Sequence, residues 1–74
     1  YVVPYANIGL CYGYLHRYDS AILYVQKAVM VDPSYNLSYE YLANIYNSTG
    51  VSDSAGKYEA IARQADPGFS MGRF

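Results

Sequence analysis

Apolar residues recur along this chain at helical intervals, and the pattern stops and restarts. Tyr5, Ile8, Tyr12 and Leu15 fall at i, i+3, i+7 and i+10, the spacing of one helix face. After a short turn at Arg17-Tyr18-Asp19, where Asp19 is a candidate N-cap, a second set follows at Ala21, Tyr24, Val25, Ala28 and Val31. Pro33 ends that set, because the residue before a proline is driven out of the helical region. The plan then starts again with Tyr39, Leu42 and Tyr46, turns at Gly50, and continues with Ala55, Tyr58 and Ala62 as far as Pro67. Asn36 and Ser52 are candidate N-caps of these later helices. No alternating run is long enough for a sheet. The pattern predicts an all-α chain with antiparallel helices near 4–15, 19–31, 37–48 and 53–65.

The restart is a repetition. Shifted against itself by 34 residues, the chain aligns Tyr5 with Tyr39, Tyr12 with Tyr46, Asp19 with Asp53, Ala21 with Ala55, Tyr24 with Tyr58 and Ala28 with Ala62. It also aligns Asp32-Pro33 with Asp66-Pro67. Eleven tyrosines inflate chance matches, so the alanines and the two Asp-Pro pairs carry the argument. Small residues at Gly9/Ala43, Ala21/Ala55 and Ala28/Ala62 let helices approach closely where a large neighbour such as Tyr12 or Tyr46 fills the notch.

Composition narrows the function. At 53% hydrophobic and 15% charged the chain is globular rather than disordered. Its 74 residues make one small domain or a piece of something larger, and a domain of this size buries only about 60% of its unfolded surface and therefore gains from neighbours. The five Lys and Arg residues are scattered and the net charge is -1, so there is no basic stripe for nucleic acid. Nothing resembles a signal peptide or a membrane span, and the single Cys11 fits a reducing compartment such as the cytoplasm.

Residues Tyr5-Ala6-Asn7-Ile8-Gly9-Leu10-Cys11-Tyr12, Tyr18-Asp19-Ser20-Ala21-Ile22, Gln26-Lys27-Ala28 and Val31-Asp32-Pro33 resemble the tetratricopeptide repeat family, whose period is also 34. The resemblance covers two repeats, about 4–34 and 38–68, and the second departs from the pattern at Thr49, Ser52 and Glu59. It implies helix-turn-helix units stacked as an α-solenoid, a right-handed superhelix, here a piece of a longer array. On this reading 1–74 is one segment: repeat 1 about 2–35, repeat 2 about 36–69, and a tail at 70–74 that is an eroded next repeat or frayed. The resemblance further implies that the first helix of each unit lines a concave face that holds peptides or partner helices. Carried over, that face comprises Ala6, Leu10, Gly13 and Tyr14 in the first unit and Glu40, Tyr41, Asn44 and Asn47 in the second. Tyr14 and Tyr41 stand outside the packing signature and are the candidate contact aromatics, while Asn44 and Asn47 share a helix face and carry amides able to grip a backbone. The family's grip on a C-terminal carboxylate is disfavoured, because Ala6 and Leu10 replace its Lys and Asn.

A catalytic reading lacks an inventory. His16 is the only histidine and reads as a solvated turn residue, Cys11 as a buried structural thiol, and the carboxylates as caps and exposed faces. No cofactor or metal motif is present. Asn36-Leu37-Ser38 and Asn47-Ser48-Thr49 match the glycosylation tripeptide, a pattern common by chance. The expected function is therefore a non-enzymatic protein-interaction scaffold that binds a partner peptide or helix and packs against neighbouring repeats. Two alternatives remain: a structural packing element of a large assembly, and the regulatory repeat region of an enzyme whose catalytic domain lies elsewhere.

Overall fold

The computed structural model describes residues 2–74 and contains four helices, α1 Val2–Tyr14, α2 Tyr18–Val31, α3 Asn36–Thr49 and α4 Ser52–Ala65, with no strand among the described residues. The all-α expectation is met, each boundary falling within two residues of its expected place. Short turns make successive helices antiparallel. α1 packs on α2 and α3 on α4, while α3 also leans on α2 and, less closely, on α1.

The repetition extends to the backbone. In the first turn Arg17 N–H donates to Tyr12 O (2.9 Å) and Ala21 N–H to Arg17 O (3.0 Å). In the second, Val51 N–H donates to Tyr46 O and Ala55 N–H to Val51 O, both at 3.0 Å. Each turn is closed by a left-handed residue, His16 (φ 58°) and Gly50 (φ 81°), again 34 apart. Each unit also carries the same tyrosine stack, Tyr12 on Tyr24 at 5.6 Å between ring centroids and Tyr46 on Tyr58 at 5.7 Å. Asp32 and Asp66 are extended, as residues before proline must be, and their N–H groups close α2 and α4 on Ala28 O and Ala62 O.

His16 occupies its left-handed conformation at a cost that glycine does not incur. We expect His16→Gly to raise stability by about 0.5–1 kcal/mol, after allowing for glycine's larger unfolded-state entropy and the loss of an exposed hydrogen bond to Tyr18 Oη. Thermal denaturation of the two chains measures it.

Two clusters form the core. Ala21, Val25, Leu42 and Ile45 fill the seam between the units, flanked by Tyr12, Ile22, Val29 and Tyr46. Ala43, Ala62 and Phe69 form the second, with Tyr39, Tyr58 and Met71 around them. At the α1–α2 crossing Gly9 is buried, and a Cβ built there would collide with Val25 Cγ2 and stand 3.0 Å from Ala21 O. The expected notch for a small residue is real.

Several expectations need correction. The helices start one residue early, at Tyr18, Asn36 and Ser52, and no side chain caps any of them; Asp19 sits in the first turn of α2, and Asn36 turns its amide to Ala62 O and Glu40 instead. Val31 is half exposed at the end of α2. On α1, Ala6, Gly9 and Gly13 are buried, whereas Ile8 (40% exposed) and Cys11, and Leu15 (65%) just past its end, face outward. At about 100° per residue, Ala6, Gly9 and Gly13 lie to one side of Tyr5 and Tyr12 while Ile8 and Leu15 lie to the other. The repeat supplies the reason. Ile8 and Cys11 correspond to Leu42 and Ile45, which are fully buried because α2 covers them, and no described helix covers α1 in the same way.

Candidate functional site

α3 divides its circumference among three tasks. Leu42 and Ile45 point at α2, and Tyr39, Ala43 and Tyr46 point toward α4. The remaining arc, Glu40, Tyr41, Asn44, Asn47 and Ser48, follows the spacing i, i+1, i+4, i+7, i+8 of a single face. Beside it α1 presents Leu10, half-buried, Gly13, buried, and Tyr14, 68% exposed. The two rows meet at Tyr41, a half-buried residue. Burial, together with the nearby Tyr35, Glu40 and Tyr14, raises the pKa of its hydroxyl. Ala6, expected on this face, is fully buried and offers no surface to a ligand.

Across this face lies the chain's own segment Phe69–Phe74, which leaves α4 after Pro67 and Gly68 without regular secondary structure. Arg63 Nε donates to Phe69 O (2.9 Å), and Met71 N–H donates to a Glu59 carboxylate oxygen (3.2 Å). Gly72 is then held from both sides of its backbone: its N–H donates to Asn44 Oδ1 (2.7 Å) and its carbonyl accepts from Asn47 Nδ2 (3.0 Å). Phe74 N–H donates to Ser48 Oγ (2.8 Å), and the Ser48 hydroxyl in turn donates to Asn44 O (2.9 Å). The Phe74 ring meets Tyr14 edge to face, centroids 5.2 Å apart, and lies against the bare backbone of Gly13. The tail is thus neither helical nor without contacts.

Of the six residues expected to contact a partner, Asn44 and Asn47 converge on the backbone of one residue, Gly72, Tyr14 touches Phe74, and Tyr41 lies between the two rows. Leu10 lies a turn before Tyr14. Glu40 lies on the same face of α3 but takes no part in holding Gly72 or Phe74; its carboxylate accepts from Asn36 Nδ2 (3.1 Å) and feels the carboxylate of Asp66. Ser48 and Glu59 escaped the sequence reading. Ser48 stands one turn after Asn44, and that spacing was the available signal; Glu59 gave none, because it occupies a position where a packing residue is usual.

Glu40 is a pH-sensitive point. Desolvation and then Asp66 raise its carboxyl above the ordinary glutamate value, against the lowering by the Asn36 hydrogen bond. A group raised on folding favours the folded state when protonated, so its contribution is fully present below the unfolded pKa and disappears as pH rises through the folded one. We expect Glu40→Gln, which keeps an acceptor for Asn36, to be more stable than the parent at neutral pH by a fraction of about 1 kcal/mol. That advantage should vanish on acidification, which melts at several pH values will show.

No protein-family model matches the chain, and no curated protein or solved structure is significantly similar to it. Among the described residues no helix is long and apolar enough to cross a membrane, and no cluster of three potential metal ligands forms.

Proposed function

We propose that the chain is a tetratricopeptide-type interaction module, a stretch of α-solenoid that works by binding rather than catalysis and receives an extended partner peptide on the face shared by α1 and α3. The observation that carries this reading is the pair of amides on α3. Asn44 and Asn47 present one acceptor and one donor at the spacing of the N–H and C=O of a single residue, and the backbone of Gly72 is bound there through both groups. Such a clamp reads backbone, while Tyr14, Tyr41 and Leu10 supply apolar contact area and, in the aromatics, the residue type enriched at interface hot spots.

The outer face of α1 favours a second reading, permanent packing within a larger assembly. Ile8 and Cys11 repeat the positions that α2 buries on α3, so a neighbouring helical unit would fit there. Association of the native partner with Tyr14→Ala and Asn47→Ala chains, run beside Ile8→Ser and Leu15→Ser chains, separates the two. Loss confined to the first pair supports the concave face; loss confined to the second replaces it with packing.

A further inference from the structure

The end of the segment Phe69–Phe74, from Gly72 to Phe74, occupies the face proposed for the partner, while Phe69 and Met71 pack in the second core cluster. We propose that this segment is an internal stand-in for the ligand: it closes the α1–α3 face until a peptide of like chemistry displaces it. The inference rests on the peptide-binding reading above and adds to it the class of peptide and the means of regulation.

The bound segment shows which features the face reads. At the clamped residue, Asn44 and Asn47 contact only the backbone N–H and C=O, and a Cβ added to Gly72 would meet nothing nearer than Asn44 Oδ1 at 3.9 Å. Any residue with a free N–H fits, and proline does not. Two residues on, the demand is specific. Gly13 has no side chain, and a Cβ there would stand 3.0 Å from the Phe74 ring, so the missing Cβ makes a flat seat with Tyr14 as its wall. The ligand class is an extended segment with any non-proline residue at the clamp and an aromatic two positions later.

The same contacts explain why the segment would yield. Beyond Phe69 and Met71, which stay anchored in the core, it has no helical or strand ladder of its own, and both bonds at Gly72 are exposed to water, which competes for them. Segments of this kind open at low free energy while the helices stay folded. Closure then lowers the apparent affinity for an outside peptide by the fraction of time the face is open.

The test uses the 74-residue chain and a blocked synthetic peptide copying Phe69 to Phe74, with binding followed by titration calorimetry and the Gly72 amide by hydrogen exchange. Phe74→Ala should loosen the internal segment, speed exchange at Gly72, and bind the peptide about tenfold more tightly than the parent, as expected for a face otherwise closed nine-tenths of the time. Adding Asn44→Ala should abolish that binding while far-UV circular dichroism stays helical, and a peptide with alanine for its last aromatic should bind neither chain. Equal affinity for parent and Phe74→Ala would overturn the gating role and leave the face as a peptide site. If the copy fails on both chains but peptides selected from a random library bind in an Asn44-dependent way, the stand-in is refuted and the peptide face survives. If no library peptide depends on Asn44, both fall together.

Discussion

Leu42→Ala is expected to cost about 2–5 kcal/mol, read as a lowered midpoint in urea with the slope watched for loss of cooperativity. Leu42 is fully buried in the seam where Ala21, Val25 and Ile45 meet, with tyrosines packed around the cluster, so its removal leaves a cavity in the core. A domain of 74 residues has about 4–11 kcal/mol in total, so this one change reaches a large share of it. Ile8→Ala is the internal comparison. The residue holds the same place in the first unit but is 40% exposed, so about 1 kcal/mol or less is expected. Similar losses at the two positions would mean that the seam between units is not the centre of the fold.

The second large effect comes from adding atoms. Gly9→Val should destabilise by about 1–3 kcal/mol or more, because even a bare Cβ at Gly9 collides with Val25 and crowds the backbone of Ala21. Intrinsic propensity alone argues the other way, since replacing a glycine inside a helix is ordinarily favourable. Gly56 provides that contrast within the same molecule. It lies inside α4, exposed, with nothing within 4 Å of an added Cβ, so Gly56→Ala should stabilise by about 1 kcal/mol. Thermal melts of the two variants should move in opposite directions.

Hydrophobic period and the two Asp-Pro dipeptides were enough to place four helices, because local rules govern where a helix starts and ends. The close approach at Gly9 and the joint face of Asn44 and Asn47 were legible for the same reason: both follow from residue size and from spacing along one helix. The fate of Ile8, Cys11 and Leu15 was not legible. Their spacing announces a buried face, but burial depends on a neighbouring helix, and periodicity within α1 carries no information about that neighbour. Asn36 misled in a related way, since its amide prefers a distant carbonyl, Ala62 O, over the local cap. The path of Phe69 to Phe74 was the least accessible feature. Arg63 and Glu59 hold its start, and its end is set by contacts to Gly13, Tyr14, Asn44 and Ser48, 25 or more residues away, which no local rule relates to it.

The paired tyrosine stacks make the molecule its own optical gauge. The chain contains no tryptophan, so its near-ultraviolet signal arises mainly from tyrosine, and the near-parallel pairs Tyr12–Tyr24 and Tyr46–Tyr58 place coupled chromophores at matching points of the two units. Replacing Tyr24 by phenylalanine darkens one gauge and Tyr46 the other, with little change of shape. Dichroism near 280 nm then follows the opening of each half separately, without any attached dye, and shows whether the seam at Leu42 makes the halves melt as one.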